Sequence, residues 1–359
     1  MKRLLSYFTC TILIMVILAG CAKSEPAFPA PNESRRGYIS FIINVHDWTH
    51  VDESADTLLH LIDLFEQFDL RGDFYFTPEV TRKYMEERPD VIERLKNSNM
   101  TISYHVRPPH PLYSGFDQRL QGLDDASLYD TLLDYETYAL DLSTGDLDRS
   151  LSGGYTYVEQ AFGRKPVVAP APNDDLRIKD AAQRVYAALG AQMTLLYHEE
   201  GTDPSQPFEY VNGLLVRPSD FSVTRTTDIN GSDEFWWDYM SAPDANKYNP
   251  TVLLQDQLTE WESLGYGRAT FITSLIHENN YYRGGAVGWS SIYYVMENSN
   301  ATGPLSPPFD LSAPDLSLPR SAEEQSAIWA AYEELVAYAA THLTVVTSED
   351  IISLAQSDL

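Results

Sequence analysis

Five histidine and carboxylate residues follow directly after apolar runs or lie in the loops behind them. They are His46 and Asp47, His105 and His110, and His277. One carboxylate and two imidazoles form a good three-ligand set for a divalent metal and leave a position open for water. Asp47, His105 and His110 are predicted to supply this set, and Zn²⁺ suits it best. In the alternative interpretation, His105 and His110 belong to a rigid turn and bond backbone carbonyls, while His46 and Asp47 form a capping or turn pair.

The apolar runs predict the strands that would position these side chains. The near-continuous apolarity of residues 38–45 is typical of a strand buried on both faces. Ser54 is predicted to cap the next helix, and the β-α-β-α-β alternation through residue 104 predicts parallel strands. Further strands are predicted at 73–77, 100–104, 166–169, 193–197, 213–216, 269–275 and 343–347, and helices at 80–96, 127–142, 178–189, 252–264 and 322–342. Carboxyl ends of parallel strands meet at one edge, where functional loops collect.

Two long stretches interrupt this alternation, at residues 221–250 and 278–319. Their aromatic side chains suit stacking on sugar rings, although loops of this size also need a small core of their own. Weaker candidates for substrate contacts are Arg107, Trp236, Trp237, Glu278 and Asn279. For Asn279, a turn-forming role is the alternative.

Composition limits the class of protein. The chain has 359 residues, and 43% of them are apolar. This profile excludes a disordered tail, a fibrous repeat and a multi-pass membrane protein. The net charge of −27 argues against nucleic acid as a partner, because such a surface repels phosphate backbones. With no clear linker after residue 37, a single α/β domain is expected over residues 37–359.

The N-terminus has the pattern of an export signal. Lys2 and Arg3 precede an apolar run, which ends in Leu18-Ala19-Gly20-Cys21. This ending resembles the lipobox of bacterial lipoproteins, whose cysteine is acylated after cleavage. The resemblance implies a signal peptide at residues 1–20, a lipidated tether at 21–36, and a membrane anchor on Cys21 in the cell envelope. An ordinary signal peptide with a chance cysteine is the alternative.

The motifs around the histidines resemble those of the polysaccharide deacetylases of the NodB-homology type, carbohydrate esterase family four. That family has a strand ending in Thr-Phe-Asp-Asp, then His-Ser/Thr-x-x-His-Pro, and later a Leu-x-His strand end. Here the corresponding segments are 45–47, 105–111 and 275–277. The resemblance implies an irregular (β/α) barrel of about seven parallel strands and a glycan substrate. It also assigns the metal to Asp47, His105 and His110.

The resemblance gives His277 the role of protonating the leaving group. His46 replaces the family's basic aspartate, and a neutral imidazole can accept a proton from metal-bound water near neutral pH. Two further departures stand out. The metal histidines are five residues apart instead of four, and the family's later arginine motif is missing at Ala169-Pro170-Ala171-Pro172.

These features favour a metal-dependent hydrolase that removes acetyl or other acyl groups from a glycan. The altered motifs favour a different hypothesis, a glycan-binding lipoprotein on the same fold that has lost catalysis. A third hypothesis is a metal-dependent hydrolase with a substrate other than a polysaccharide. The sequence leaves open the sugar, the choice between N- and O-acetyl groups, and the oligomeric state.

Overall fold

In a computed structural model of the chain, the described residues are 37–195, 208–227, 233–236, 249–265, 270–298 and 300–357. The strands are β1 Tyr38–Val45, β2 Asp73–Phe76, β3 Thr101–Tyr104, β4 Tyr138–Leu140, β5 Leu147–Ser152, β6 Met193–Thr194, β7 Tyr210–Val211, β8 Leu214–Val216, β9 Phe221–Ser222, β10 Arg225–Thr227, β11 Asp233–Phe235, β12 Phe271–His277, β13 Arg283–Gly284, β14 Tyr294–Glu297, β15 Asn300–Pro304, β16 Leu318–Pro319 and β17 Thr344–Val345. The helices are α1 Val51–Gln67, α2 Pro78–Glu87, α3 Pro89–Lys96, α4 Asp125–Tyr135, α5 Gly154–Phe162, α6 Leu176–Leu189, α7 Pro250–Leu264, α8 Ser290–Tyr293, α9 Ala322–His342 and α10 Ser348–Ser357.

The main sheet has six strands, in the order β3-β2-β1-β12-β9, with β17 also paired to β1. Every pairing in it is parallel. Seven of the eight residues of β1 are buried, and α1 and α9 contribute apolar side chains to the same core. The predicted α/β class with parallel strands is therefore confirmed.

The sheet continues past β3 through backbone hydrogen bonds. Tyr104 N donates to Val168 O at 2.8 Å, and Val168 forms a parallel bridge to Met193 in β6. β6 then pairs with β8, and β8 pairs with β7. Among the strands that the structure describes, no pairing joins β8 to β9. Within the described residues, these pairings thus do not close into a barrel, and the irregular barrel of about seven strands that the resemblance implies is shown only as a parallel α/β sheet.

Several predicted boundaries differ from the observed ones. Ser54 does not cap α1; it lies inside that helix, fully buried, with its Oγ 2.5 Å from the hydroxyl of Tyr84. The helix begins at Val51. Asp52 and Glu53 lie in its first turn, where their negative charges interact favourably with the positive end of the helix dipole. Helix α4 ends at Tyr135 instead of 142, and the hairpin β4-β5 and helix α5 follow it. Strand β12 extends two residues further than predicted, to His277.

Within the described residues, no helix is long and apolar enough to cross a membrane. The predicted signal peptide, the tether and Cys21 lie outside the described residues.

Candidate functional site

Three parallel strands deliver one histidine each to the same edge of the sheet. His46 follows β1, His105 follows β3, and His277 ends β12. The register fixes this convergence, since Asn44 lies opposite His277 in the β1-β12 pair. The rings of His46 and His277 are stacked, with centroids 4.8 Å apart and planes inclined by 8°, and the ring of His105 lies 5.7 Å from His46. We call these residues the three-histidine cluster.

The three-histidine cluster has the geometry of a possible metal site. One nitrogen from each ring lies within 4.8 Å of the other two. Among the described residues, this is the group of three or more His, Cys, Asp or Glu side chains whose ligand atoms lie this close together. His46 and His105 are each 3% exposed. Three imidazoles with a free fourth position form a ligand set that occurs in catalytic zinc sites.

The guanidinium of Arg107 lies among the same three nitrogens. Its Nε donates to Nδ1 of His46 at 3.0 Å and to Nε2 of His105 at 2.9 Å. Its Nη2 donates to Nε2 of His277 at 2.5 Å. Because arginine has no acceptor, each of these nitrogens presents a lone pair to it. A metal ion and Arg107 would therefore compete for the same three lone pairs.

The imidazoles of the cluster are neutral near pH 7. Burial, followed by the charge of Arg107, lowers the pKa of His46 to about 3. The same two causes hold the pKa values of His105 and His277 well below the usual range. Neutral imidazole is the form that binds a metal, so the donor set fits a divalent cation once Arg107 is displaced.

Two asparagines contact the rings of His46 and His277. The side-chain oxygen of Asn279 lies 3.0 Å from Nε2 of His46. With the lone pair of Nδ1 directed at Arg107, Nε2 carries the proton and donates to Asn279, and a hydrogen bond of this kind fixes the tautomer of a metal-binding histidine. Nδ2 of Asn44 lies 3.2 Å from Nε2 of His277, the nitrogen whose lone pair also faces Nη2 of Arg107, so Asn44 shares that lone pair.

Glu278 lies behind the cluster and is fully buried. Its Oε1 accepts the backbone N–H groups of His46 at 2.6 Å and Asp47 at 2.5 Å. Burial, followed by the charge of Asp47, raises the pKa of Glu278 to about 8. Oε2 has no hydrogen-bond partner within the described part of the chain and lies 3.9 Å from Nε2 of His46. The carboxyl group is thus mostly protonated at neutral pH, and it shapes the turn after β1.

Asp47, predicted to share a metal with His105 and His110, lies outside the three-histidine cluster. Its Oδ2 accepts from Nδ1 of His50 at 2.8 Å and from the hydroxyl of Tyr282 at 3.0 Å. Its Oδ1 accepts from Oγ1 of Thr49 at 2.6 Å. Burial alone would raise the pKa of Asp47, but these hydrogen bonds, first that of His50, hold it below its usual range. These donors occupy both carboxylate oxygens, and Asp47 is not part of the group of ligand atoms that contains His105.

His110 also lies outside the three-histidine cluster. The turn after β3, closed by a 3.0 Å hydrogen bond from His110 N to Arg107 O, carries its ring toward Glu136. Nε2 of His110 lies 3.4 Å from Oε1 of Glu136, and its Nδ1 accepts from Leu112 N at 3.1 Å. Arg107, and not His110, therefore lies beside His105. Asp47, His105 and His110 are not brought together as a ligand set.

The aromatic residues predicted to stack on sugar rings lie in different environments. Trp236 is 3% exposed and belongs to the main core, so it is not an exposed platform for a sugar ring. Trp237 lies outside the described residues. Trp289, in the second long stretch, packs its edge against His46 at 5.7 Å and shares a small core with Tyr293 and Phe309. The interpretation that a long loop needs its own core is thus correct for this stretch.

The structure also gives the positions of the other residues predicted to contact substrate. Glu278 and Asn279 lie beneath the cluster, at 0% and 5% exposed, and Arg107 lies among the histidines. Sequence reasoning missed Asn44 as a contact of His277. A polar residue near the end of the mostly apolar strand β1 was the available signal for it.

Comparison with known proteins gives a likeness of fold. No family model and no curated protein match the sequence. A similar solved structure is PuuE allantoinase, with 14% identity, a TM-score of 0.48 and coverage of 93% of this chain and 95% of that one. Another is peptidoglycan deacetylase PdaC from Bacillus subtilis, with 11% identity, a TM-score of 0.35 and coverage of 91% and 95%. Carbohydrate esterase family 4 enzymes and pseudoenzymes are also similar.

A third similar structure is the 4-alpha-glucanotransferase from Thermococcus litoralis, with 11% identity and a TM-score of 0.40. It is matched over 88% of this chain, which spans only 38% of the glucanotransferase. Identities and TM-scores this low do not establish a family or an activity.

Proposed function

We propose that the protein is a metal-dependent hydrolase that removes acyl groups from a glycan at the three-histidine cluster. The observation that carries this proposal is the convergence of three neutral imidazoles at the carboxyl edge of a parallel sheet. His46, His105 and His277 would hold the divalent cation, for which Zn²⁺ is the best candidate. Such a cation supplies polarisation of the acyl oxygen and activation of water. The glycan as substrate comes from the motif resemblance.

This arrangement changes the roles predicted for two histidines. His46 and His277 would serve as ligands instead of base and acid. Asn279 holds the ring of His46 in the tautomer that presents a lone pair to the centre. Glu278 keeps the strand-end turn in place through its two backbone hydrogen bonds and holds a proton on Oε2 near neutral pH.

A second candidate function is glycan binding without catalysis. One observation favours it specifically: Arg107 already directs N–H groups at all three imidazole lone pairs. A guanidinium that stays there supplies the positive charge that a metal would bring, but it provides no exchangeable position for water. The two candidates therefore differ in whether a metal can replace Arg107.

Metal content and acetate release separate these functions. The full chain is purified without chelators, its bound metals are measured, and it is incubated with acetylated oligosaccharides. The hydrolase predicts about one divalent metal per chain and acetate release, both lost in His105→Ala. As a matched control, His342→Ala changes an exposed histidine in the last turn of α9 and should keep both. If the wild-type chain neither takes up metal nor releases acetate, the hydrolase is excluded and glycan binding without catalysis remains.

We also propose that Cys21 anchors the protein to the envelope of a bacterial cell. The lipobox-like residues 18–21 support this proposal. Mass spectrometry of the exported protein should find a diacylglycerol-modified Cys21 at its N-terminus, and Cys21→Ser should release the protein from the membrane fraction. A mature N-terminus at any other residue would refute it.

A further inference from the structure

The 285–317 segment leaves the fold and returns to its own starting point. Strand β13 pairs antiparallel with β16, and the pairing of Gly284 with Leu318 closes the segment at its base. Near its beginning the segment carries Trp289, which is 4% exposed. The ring centre of Trp289 lies 5.7 Å from that of His46, in an edge contact. The segment therefore contacts the three-histidine cluster through this side chain.

His50, in the turn between β1 and α1, connects the 285–317 segment to the turn beside the cluster. Its Nδ1 lies 2.8 Å from Oδ2 of Asp47, and its Nε2 lies 2.8 Å from Oδ2 of Asp315. A neutral imidazole has one N–H group and can donate to only one of these oxygens. A ring that donates to both carboxylates is an imidazolium. The hydrogen bond from Asp47 also raises the pKa of His50 above its usual value.

Asp315 is itself fixed within the 285–317 segment. Its Oδ1 accepts from Ser317 N at 2.8 Å, and its Oδ2 accepts from Ser317 Oγ at 2.9 Å. A second cation, Arg283 at the base of the segment, lies 3.6 Å from the same Oδ2. Because the carboxylate is held by its own turn, the hydrogen bond from His50 restrains the backbone of the segment as well as one side chain.

The backbone of the segment also packs directly on the turn after β1. A Cβ added at Gly288 would overlap Oγ1 of Thr49 and would lie 2.7 Å from Cε1 of His50. Oγ1 of Thr49 donates to Oδ1 of Asp47 at 2.6 Å, so it cannot rotate away without losing this hydrogen bond. Gly288 directly precedes the tryptophan that contacts the cluster. A displacement at this glycine would therefore reach the cluster.

We propose that His50 is a positioning residue that, through Asp315, holds the 285–317 segment so that Trp289 lies against the three-histidine cluster. The apolar groups around such a site control the access of solvent to it. The effect on catalysis rests on the proposed function, in which His46 is a metal ligand. The contact itself requires neither a metal nor a reaction.

The first test follows Trp289 by ¹⁹F NMR of the full chain labelled with 5-fluorotryptophan, with the resonance assigned by Trp289→Phe. Asp315→Asn leaves one acceptor oxygen, which cannot serve both Ser317 and His50. The Trp289 resonance should shift, and its broadening by a soluble gadolinium chelate should increase several-fold.

A matched control is Asp310→Asn. Asp310 accepts from N and Oγ of Ser312 in a turn of the same kind, without a histidine partner in the described part of the chain. This substitution should leave the Trp289 resonance and its broadening unchanged.

A second pair of variants tests the contact from the side of the segment. Gly288→Ala should displace Trp289 in the same way, because the new Cβ overlaps the side chain of Thr49. Gly303→Ala, in β15, adds a Cβ with no described atom within 4 Å and should leave the spectrum unchanged. In a His50→Ala background, Asp315→Asn should cause no further change, because its partner is already missing.

Acetate release gives a separate measurement. If the wild type is a hydrolase, Asp315→Asn should lower kcat about tenfold, as is typical for groups that support a metal ligand, with KM nearly unchanged. Asp310→Asn should keep both values. A wild type that releases no acetate would contradict the proposed function, while the NMR spectra still decide whether His50 positions Trp289. An unchanged kcat with a displaced Trp289 would overturn the effect on catalysis.

The NMR spectra can overturn the positioning role in three ways. It is wrong if neither Asp315→Asn nor Gly288→Ala changes the Trp289 resonance. It is also wrong if Asp310→Asn changes this resonance as much as Asp315→Asn does. Finally, it is wrong if Asp315→Asn keeps its full effect in the His50→Ala background.

Discussion

Nε of Arg107 lies 2.9 Å from Nε2 of His105, two residues before it in the same loop. The same nitrogen also donates to His46, and the neighbouring Nη2 donates to His277. Three neutral lone pairs directed at one positive group form the electrostatic arrangement that a metal ion also requires. The identity of that positive group, a guanidinium or a metal ion, therefore decides whether the site can activate water.

Arg107→Met should open the three-histidine cluster to metal ions. The substitution frees the three lone pairs, removes a positive charge that would repel an incoming cation, and keeps much of the side-chain volume. We expect the affinity for Co²⁺ or Zn²⁺ to rise at least about tenfold, since charge and ligand availability both improve. The visible absorption of bound Co²⁺, followed during titration, measures it.

A matched control is Arg177→Met, which removes an exposed arginine paired with Asp125. It should leave Co²⁺ affinity unchanged. If Arg107→Met and wild type bind Co²⁺ equally, the guanidinium does not compete for the imidazoles, and the competition deduced from its hydrogen bonds is wrong.

Asn279→Ala should weaken metal binding without removing a ligand. The amide oxygen of Asn279 holds the proton of His46 on Nε2 and leaves Nδ1 free. Loss of such an orienting group typically reduces metal affinity about 10–100-fold. Competition with a chromophoric chelator measures the change in the Arg107→Met background. Asn300→Ala, at an exposed asparagine in β15, should leave the metal affinity unchanged. An equal loss of metal affinity in Asn300→Ala would show that Asn279 has no specific orienting role.

Local sequence patterns predicted the strands of the site and the histidines at their ends. Apolar runs fix where a buried strand ends, and parallel pairing brings those ends together, so the clustering of His46, His105 and His277 follows from position along the strands. The direction of a loop side chain depends instead on distant partners. Asp47 is held by Tyr282, 235 residues away, as well as by its neighbour His50, and His110 lies beside Glu136.

The strand order beyond β12 and the positions of the long loops could not be derived for the same reason. Trp236 lies in a polar and aromatic stretch typical of a binding loop, yet its side chain is buried in the main core. Pairing of β9 with β12 joins residues about 50 positions apart, and only the packed fold specifies it. Nothing in the sequence around Asp73 indicates its partner Arg217 either.

Asp73→Ala should destabilise the protein strongly. Asp73 is fully buried and accepts from Nη2 of Arg217 at 2.9 Å and from Ser348 N at 3.0 Å. Removing it leaves the buried guanidinium without its counter-ion, which typically costs about 3–5 kcal/mol of unfolding free energy. Urea denaturation measures the loss. Asp125→Ala breaks the exposed pair with Arg177 and should change stability by less than about 1 kcal/mol.

A double variant tests the cause of that loss. Replacing both members, as Asp73→Leu with Arg217→Met, removes the unpaired charge and should destabilise less than Asp73→Ala alone. If the double variant is the less stable of the two, the loss arises from packing and not from an uncompensated charge.

Glu136 and His110 should have opposite effects on the pH dependence of stability. Burial raises the pKa of Glu136 from 4.5 to about 7, so the folded state binds more protons than the unfolded state between these values. This contribution is fully present below pH 4.5 and is lost as the pH rises through 7. For His110, burial lowers the pKa from 6.5 to about 3, so its contribution is present above pH 6.5 and is lost as the pH falls toward 3.

Between pH 4.5 and 6.5 the two slopes have opposite signs and similar size, about 1.4 kcal/mol per pH unit each. Glu136→Gln removes only the carboxyl contribution. The difference in unfolding free energy between variant and wild type should therefore shift by about 3 kcal/mol in favour of the variant from pH 4.5 to pH 7. Urea denaturation at a series of pH values measures this difference, in which the contributions of groups that do not contact Glu136 cancel. A difference independent of pH would mean that Glu136 keeps an ordinary pKa in the folded protein.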